Sequence, residues 1–414
     1  MDGVRHRTLF SHEPERIVKV AIFNVKYSPN LGDGLLAECL ERTLVRHDPD
    51  IRIVAVDLAG RGGYGEVNRY RGLMLRTLQR LPGFARQLLS HTLLNLLSRV
   101  KLRASFRRAV ADSDVVVIGG GNLFADADLN FPIKIGLALD EAARRRLPVT
   151  VYAVGVSDDW SATGERLFAD GFGAAELVAA DVRDERSQSV WNRRLVPYGI
   201  RAAGIARDPG LLASRCYPAA PAAGERHVAF GITDPLLVRY HGGEHGGDHM
   251  LTAWYTAAIG ALADAGWSVT LFTNGSPEDA AFLAKHAPLW TSRPDGKVRM
   301  APPSHEPAHL VRQLASAQLV IAHRMHACIG AYSFRVPAIG LRWDPKLDSF
   351  FQLSGRDEFI IDTTATDAPA LLTLAERARN EGVAADRHRE LLDAASDSVA
   401  ALAVTLRKAA GSRR

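Results

Sequence analysis

Short apolar runs rich in β-branched residues recur along the chain and alternate with stretches in which apolar residues have helical spacing. After the first run, Leu36, Leu40 and Leu44 have the spacing of one helix face. Strands that are apolar throughout are buried on both faces, so the alternation predicts a parallel sheet covered by helices. The predicted strands of the first half are 17–24, 51–57, 114–121, 148–156 and 176–181.

The pattern restarts after 209–226, a Pro-, Gly- and Ala-rich segment typical of a linker. The predicted strands beyond it are 227–233, 267–273, 297–301, 318–323 and 336–342, with helices near 249–264, 277–287 and 305–316. Residues 365–408 predict a helix long enough to pack back across the first domain. The fold class is therefore α/β, with two Rossmann-like, doubly wound domains that face a cleft.

The predicted domain boundaries follow these changes in pattern. They are a flexible lead-in at 1–16, an N-terminal domain at 17–212, a linker at 213–226, a C-terminal domain at 227–364 and a helical segment at 365–414. Open parallel sheets bind ligands at the carboxyl ends of their strands, so functional residues are expected on the loops that border the cleft.

Composition excludes several classes of protein. With 414 residues, 47% of them hydrophobic and 23% charged, the chain is neither disordered nor fibrous and can bury two cores. Three widely spaced cysteines cannot form a disulfide framework or a four-thiolate zinc site. No signal peptide and no run of eighteen apolar residues is present, which predicts a cytoplasmic protein with reduced thiols.

The net charge of +5 depends on one segment. Residues 67–111 contain ten Lys or Arg residues and no Asp or Glu. Leu-rich helical spacing at 79–110 favours either a helix lying on anionic lipid at the inner face of the cell membrane, or a core-packed helix pair with a solvated basic face. Nucleic acid is not an expected partner, because no aromatic platform accompanies the charge.

The turn after the first predicted strand is a candidate anion site. Asn30, Gly32 and Asp33 lie where a helix begins, and the free N–H groups and dipole of a helix start favour a negative ligand. The alternative is a helix capped by Asp33, with the glycines serving turn geometry. The spacing matches neither a dinucleotide-binding fingerprint nor a P-loop.

Three glycines, Gly119, Gly120 and Gly121, lie at the end of the apolar run 114–121 and are expected to form a loop there. A loop without side chains exposes backbone amides to a phosphate, a carboxylate or a sugar hydroxyl. Asn122 would cap the next helix or contact the ligand. A purely structural tight turn is the alternative.

Residues 321–346 carry the strongest chemistry. His323, Arg324 and His326 end a predicted strand, which offers a bidentate cation and a titratable proton donor. A histidine of this kind can also be an ordinary core residue. Further candidates are Arg183, which a surface ion-pair ladder would equally explain, and the loop residues Arg342, Asp344 and Lys346. Such a set suits a phosphorylated carboxylate.

Two other patterns are weaker. Asp126 and Asp128 resemble the acidic pair with which some glycosyltransferases hold a divalent ion, a pattern that is common by chance. Residues 240–250 contain His241, His245 and His249 beside Glu244 and Asp248. The segment has three interpretations: a metal site, a lid that contacts the acceptor, or a solvated loop. Its glycines argue against the rigid geometry that a metal site needs. We expect no metal.

Taken in order, NLGDG, VVVIGGGNLF, VRDERS, LFTNG and HRMHACIGAYSFRVPAIGLRWDPKLDSFF resemble the polysaccharide pyruvyl transferase family over roughly residues 18–355. The resemblance implies a GT-B-like architecture. It also implies transfer of a pyruvyl group from phosphoenolpyruvate to two hydroxyls of one sugar, forming a cyclic ketal. No cofactor is implied beyond this donor substrate. The expected pathway is polysaccharide, including exopolysaccharide, biosynthesis.

The resemblance also assigns residues. The family's Arg-Leu-His motif and an upstream Arg contact phosphoenolpyruvate, which implies Arg324, His326 and Arg183 here, while LFTNG contributes Asn274. Met325 replaces the usual Leu at nearly constant volume. The N-terminal domain is expected on the acceptor side and the C-terminal domain on the phosphoenolpyruvate side. His326 is the expected general acid.

Other functions remain open at this point. The first is a GT-B glycosyltransferase that uses a nucleotide-sugar, and the second is a membrane-surface scaffold that rests on 79–110 alone. The expected partners are phosphoenolpyruvate and a saccharide acceptor, free or lipid-linked, with peripheral contact to an anionic membrane. The sequence does not choose the acceptor sugar, the ketal stereochemistry or the oligomeric state.

Overall fold

The computed structural model describes residues 16–65, 100–126, 129–218, 226–236 and 248–412. Within these residues, two six-stranded sheets, both parallel throughout, are each packed against helices. The predicted α/β class with two doubly wound domains is confirmed.

The N-terminal sheet follows the predicted strands closely. Its strands are β1 (Val18–Asn24), β2 (Ile51–Asp57), β3 (Val115–Phe124), β4 (Pro148–Val156), β5 (Glu176–Val182) and β6 (Gly204–Ile205). Its helices are α1 (Leu31–His47), α2 (100–111), α3 (Asn130–Arg144), α4 (Ala162–Ala174) and α5 (Glu185–Leu195). The spatial order is β2-β1-β3-β4-β5-β6, so the winding direction changes between β1 and β3. Every residue of β4 is buried, as a strand covered on both faces requires.

The C-terminal sheet is built in the same way. Its strands are β7 (His227–Gly231), β8 (Ser268–Phe272), β9 (Val298–Met300), β10 (Leu319–Ala322), β11 (Ala338–Leu341) and β12 (Ile360–Ile361). After α6 (Ala213–Cys216), its helices are α7 (Asp248–Asp264), α8 (Pro277–Thr291), α9 (Pro307–Ala315), α10 (Met325–Ser333) and α11 (Pro345–Ser354). The order β12-β11-β10-β7-β8-β9 places the change of direction between β7 and β10.

The C-terminal segment forms two helices rather than one. They are α12 (Ala368–Glu381) and α13 (Ala385–Gly411), separated at Gly382, whose φ of 63° ends the first helix. Helix α13 packs against α1 and the first sheet, and Arg407 pairs there with Asp48. The expected return of the C-terminal helix across the first domain is confirmed.

One apolar core joins the two domains. Helix α1 contributes Leu35 and Leu40 to a buried cluster that also contains Leu310 and Ile329 of the second domain. The start of α1 also contacts the second domain directly, because the Leu31 N–H donates to the carbonyl oxygen of Asn274 at 2.7 Å. The carboxyl ends of the two sheets are thereby held facing each other.

The segment expected to be a linker begins as packed structure. A 3-10 turn at Pro209–Leu212 leads into α6, and all four residues of the turn are buried. Both elements pack against α1. Residues 213–218 of the expected linker are therefore part of the fold, and 219–225 lie outside the described residues.

The prediction that three glycines form a loop at the end of the third strand is wrong. Gly119, Gly120 and Gly121 lie inside β3, which continues to Phe124 with a shift of register after Gly121. Positive φ angles of 81° at Gly120 and 83° at Gly121 cause this irregularity, which side chains would disfavour. Asn122 is also within β3 and does not cap α3, whose N-cap residue is Leu129.

Residues 66–99 of the basic segment lie outside the described residues. In the remainder, α2 buries Leu102 and Phe106, while Arg103 and Arg107 form ion pairs with Glu141 of α3. This part matches a core-packed helix with paired basic residues. Among the described residues, no helix has the length and apolar character needed to cross a membrane.

Candidate functional site

The candidate site lies between the two sheets, at the strand ends where each sheet changes its winding direction. The loop after β1 enters α1 at Asn30, whose side chain accepts a hydrogen bond from Gly32 N–H at 3.4 Å. Asn30 is therefore the N-cap of α1, and the alternative in which Asp33 caps the helix is wrong, because Asp33 lies within its first turn. Across the cleft, β10 ends at Ala322 and Arg324 precedes α10.

His326 is at the centre of the site. Its Nε2 lies 3.5 Å from Asp208 Oδ2, and its Nδ1 lies 4.0 Å from Asp33 Oδ1. Both carboxylates belong to the N-terminal domain, whereas His326 lies in the first turn of α10. At 3.5 Å the contact with Asp208 is electrostatic rather than a well-formed hydrogen bond.

The two carboxyls beside His326 differ in their proton affinity. Burial favours the protonated form of Asp208, but its interaction with His326 and the charge of Arg183 outweigh burial and lower its pKa. Burial dominates at Asp33 and raises the pKa of that carboxyl, despite the charge of His326. The imidazole is thus flanked by one readily ionised carboxylate and one that retains its proton to higher pH.

Arg324 is held by a buried carboxylate. Its Nε and Nη2 lie 3.1 and 2.7 Å from Asp279 Oδ2, and the Asp279 side chain is fully buried at the start of α8. The guanidinium carbon lies 5.1 Å from the centre of the Trp343 ring. This clamp fixes the plane of the guanidinium at the strand end.

Arg183 and Asn122 converge from the N-terminal sheet. A Cβ on Gly155 would lie 2.5 Å from both Arg183 Nη2 and Asn122 Oδ1, so glycine is required between them. Arg183 Nε lies 3.2 Å from Asp184 Oδ2. The side chain of Asn122 donates to Ser157 Oγ at 3.1 Å.

Several buried polar atoms at the site lack a hydrogen-bond partner within the described residues. They are Arg183 Nη1, Asn274 Nδ2, Asp208 Oδ2 and His326 Nε2. Buried donors and acceptors are normally satisfied, and Asp208 Oδ2 and His326 Nε2 face each other at 3.5 Å. Arg183 Nη1 and Asn274 Nδ2 therefore remain as buried donors available to a ligand.

The loop after β11 borders the same region. Lys346 Nζ lies 2.6 Å from Asp344 Oδ2, and Asp344 caps α11. Burial opposes ionisation of Asp344, but Lys346 outweighs it and lowers the pKa of Asp344. Arg342 is exposed and pairs with Asp348 at 2.8 Å, so the structure does not bring it to His326.

A cavity of about 610 Å³ opens beside this loop. Its walls include two tryptophans, four carboxylates and, as the one basic residue among the described lining, an arginine: Trp254, Trp343, Asp344, Asp348, Asp362, Asp367 and Arg342. The cavity shares Trp343 with the wall behind Arg324.

His323 does not face the cleft. Its side chain is fully buried, and Nδ1 lies 3.2 Å from the Tyr255 hydroxyl. Gly119, Gly120 and Gly121 are likewise buried, with Gly120 against Leu36. A Cβ on Gly121 would lie 4.0 Å from Asp33 Oδ1 and equally far from the side chains of Leu123 and Val25.

The weaker patterns do not form a metal site in the described part of the chain. Asp126 accepts hydrogen bonds from Ser161 and from the Leu129 N–H, and Asp128 lies outside the described residues. Residues 237–247, with most of the His-rich segment, also lie outside them. Among the described residues, no three His, Cys, Asp or Glu residues are placed to hold a metal ion.

The arrangement of residues at these strand ends agrees with a comparison of the chain with models of protein families. The family model described as polysaccharide pyruvyl transferase matches residues 30–345, which is most of the chain. This chain belongs to the polysaccharide pyruvyl transferase family. It is accordingly a transferase of polysaccharide biosynthesis.

Solved structures outside this family share the fold. A UDP-GlcNAc 2-epimerase from Methanocaldococcus jannaschii has a TM-score of 0.52 at 11% identity, covering 88% of this chain and 93% of the epimerase. A putative UDP-N-acetylglucosamine 2-epimerase from Listeria monocytogenes has a TM-score of 0.52 at 10% identity, covering 92% and 90%. The glycotransferase of kitacinnamycin has a TM-score of 0.50 at 14% identity, covering 95% and 99%. No curated protein sequence matches the chain. The GT-B-like architecture expected of the pyruvyl transferase family is confirmed.

Two residues of this candidate site were not anticipated from the sequence. Asp208 begins an Asp-Pro-Gly turn after the short strand β6, and its Oδ1 accepts a hydrogen bond from Gly210 N–H at 2.8 Å. Asp279 lies in the first turn of α8. An acidic residue before Pro, or in a first helical turn, normally serves the helix start, so the sequence signal for either was structural.

We expect Gly32→Ala to lower the free energy of unfolding by about 1–3 kcal/mol and to displace His326. A Cβ at this position would lie 2.6 Å from the His326 Cβ, and both atoms are anchored to backbone. Urea unfolding followed by circular dichroism measures the change.

The matched control for this substitution is Gly136→Ala in α3. No atom lies within 4 Å of a Cβ placed there, so helix propensity is expected to raise stability by up to about 1 kcal/mol. Equal effects of the two substitutions would contradict the close contact between α1 and His326.

His323 is expected to make the protein less stable in mild acid. Burial lowers its pKa to about 3, whereas in the unfolded chain it is near 6.5. The unfolded state therefore binds the proton first as pH falls below about 6.5. By pH 4 the free energy of unfolding is expected to have fallen by about 3 kcal/mol. His323→Asn should flatten the dependence of the unfolding free energy on pH between 7 and 4.

The exposed His249 provides the comparison, and His249→Asn should retain the wild-type slope. If His323→Asn also retained the wild-type slope, the buried imidazole would not be the source of the acid sensitivity.

Proposed function

We propose that this chain transfers the pyruvyl group of phosphoenolpyruvate to two hydroxyls of one saccharide, forming a cyclic ketal. The observation that carries the proposal is that Arg183 and Arg324, from opposite domains, act on the two carboxyls that flank His326. The charge of Arg183 acts on Asp208 and that of Arg324 on Asp33, and Arg183 Nη1 is buried without a partner among the described residues. Phosphoenolpyruvate carries a phosphate and a carboxylate, so it needs cationic donors at two places. Asn274 Nδ2 and Lys346 add donors at the C-terminal side.

His326 is the proton donor in this proposal. It protonates the methylene carbon of phosphoenolpyruvate, which leaves C2 as an oxocarbenium-like electrophile. One acceptor hydroxyl adds to C2 and gives up its proton. The C2–O bond to phosphate then breaks, and the second hydroxyl closes the ketal while its proton passes to the leaving phosphate.

In this proposal Asp33, whose Oδ1 lies 4.0 Å from His326 Nδ1, receives the proton of the first hydroxyl. Burial raises the pKa of this carboxyl toward neutral pH, which suits a group that accepts a proton during the reaction. Asp208 has the opposite role, because its lowered pKa keeps a negative charge 3.5 Å from His326 Nε2. The proposed reaction uses phosphoenolpyruvate as its only donor.

The cavity beside the site argues against a nucleotide-sugar donor. Its described lining has four carboxylates and one arginine, and that arginine already pairs with Asp348. A diphosphate would be repelled there, whereas neutral sugar hydroxyls can donate to carboxylates and sugar C–H faces can pack on tryptophan. We therefore place the acceptor saccharide, free or lipid-linked, at this cavity. Its described lining comes from residues 250–254 and 342–367, so this proposal departs from the expected acceptor side in the N-terminal domain.

Isothermal titration calorimetry of the wild-type protein tests the donor. We expect binding of phosphoenolpyruvate and no heat from UDP-glucose or GDP-mannose. Binding of either nucleotide-sugar without binding of phosphoenolpyruvate would overturn the proposal and favour a glycosyltransferase. Peripheral contact with an anionic membrane remains a separate proposal, since it rests on 79–110, of which residues 79–99 lie outside the described residues.

A further inference from the structure

Two of the three cysteines lie side by side on segments that lead to the candidate site. Cys39 belongs to α1, and Cys216 ends α6. The Sγ of Cys216 lies 3.9 Å from the carbonyl oxygen of Cys39 and 3.5 Å from Thr43 Oγ1, one helical turn further along α1. Each thiol also affects the pKa of the other: the Cys39 thiol lowers that of Cys216, and Cys216 raises that of Cys39.

The surroundings of Cys216 favour its thiolate. Its interaction with the Cys39 thiol outweighs partial burial, and Thr43 with the charges of Arg46 and Arg42 acts in the same direction, so the pKa of Cys216 is lowered to about 6. Both arginines are fixed beside it: Arg42 donates to the Cys216 carbonyl at 2.9 Å, and Arg46 donates to the Arg215 carbonyl at 3.1 Å. Cys216 is partly exposed.

The other two cysteines differ from Cys216. Cys39 is buried, and burial raises its pKa well above the usual value. Cys328 is buried in α10, and burial raises its pKa to about 12. The chain therefore has one partly exposed thiol with a lowered pKa, one buried neighbour on α1, and a third buried thiol in α10 that serves as an internal reference.

We propose that Cys216 is a peroxide-sensitive modification site that forms a reversible disulfide with Cys39. The Cys216 thiolate attacks one oxygen of hydrogen peroxide, the O–O bond breaks, and hydroxide leaves to give a sulfenic acid. The Cys39 sulfur then attacks the sulfenic sulfur and loses its proton, and water leaves as the disulfide forms. Peroxide is the two-electron oxidant, and a dithiol restores both thiols.

The bond would join the two segments that flank His326. Helix α1 carries Asp33, and the segment that ends in Cys216 begins with Asp208. Oxidation would thus tie α1 to this segment close to the proposed proton donor. The modification rests on the geometry and surroundings of the two cysteines and does not depend on the identity of the donor substrate.

The experiment exposes the reduced full-length protein to hydrogen peroxide and counts free thiols after denaturation. We expect three thiols to fall to one, and mass spectrometry to recover the Cys39 and Cys216 peptides joined and two hydrogen masses lighter. Dithiothreitol should restore all three thiols. Three thiols after treatment, or a disulfide between different cysteines or different molecules, would overturn the proposal.

Two variants sharpen the result. Cys328→Ser should still form the Cys39–Cys216 linkage, whereas Cys216→Ser should retain both of its remaining thiols. Alkylation by iodoacetamide should modify Cys216 first, with a rate whose midpoint lies near pH 6. A midpoint above about pH 8, the range of an ordinary thiol, would contradict the thiolate step.

Discussion

His326→Ala is expected to reduce the turnover of pyruvyl transfer by about 100- to 10,000-fold, while the affinity for phosphoenolpyruvate changes by a few-fold at most. The substitution removes the proton donor but leaves Arg324 and Arg183 in place. Phosphate release from phosphoenolpyruvate under a saturating saccharide acceptor measures turnover, and calorimetry measures donor affinity.

Two controls accompany this variant. Removing His326 leaves Asp33 and Asp208 facing each other, so its melting temperature must be compared with that of the wild type. His309→Ala removes a half-buried histidine that pairs with Glu306 in α9, and it should retain full turnover. Full turnover of a folded His326→Ala protein would refute its role as the acid.

Arg324→Ala is expected to weaken phosphoenolpyruvate binding by at least about 30-fold. Truncating one member of a buried, hydrogen-bonded charge pair typically costs about 2–5 kcal/mol, and each 1.4 kcal/mol is a factor of ten in affinity. The same substitution leaves the fully buried Asp279 carboxylate without its cationic partner, so the free energy of unfolding is also expected to fall.

A double variant separates the two effects of losing Arg324. Arg324→Ala combined with Asp279→Asn removes the unpaired charge of Asp279. The double variant should therefore be more stable than Arg324→Ala alone but should not regain phosphoenolpyruvate binding. Arg342→Ala is the matched surface control, because Arg342 is exposed and pairs with Asp348, and calorimetry should show unchanged donor affinity. Recovery of binding in the double variant would show that Arg324 acts only through the fold.

Much of the fold could be predicted from local pattern. β1, β2 and β4 lie within one residue of their predicted bounds, because a strand buried on both faces is a continuous apolar run that the chain displays directly. The glycines of β3 were the exception. Positive φ angles at Gly120 and Gly121 let a strand continue through a sequence that is otherwise typical of a turn.

The candidate site could be predicted only in part. Arg324 and His326 stand out because they follow a buried strand, where functional residues of parallel sheets concentrate. His323 precedes the same helix but points into the core, and no local signal distinguishes it from its neighbours.

The sequence by itself determined the two parallel sheets, their order along the chain and the strand ends at which chemistry is expected, since hydrophobic period and turn residues are local properties. Only the tertiary structure decided which side chains meet. Asp208 and Asp33 approach His326 across the domain boundary, and Asp279 reaches Arg324 from another helix. Such contacts depend on how two packed domains are held by a shared core, and no short stretch of sequence encodes that distance.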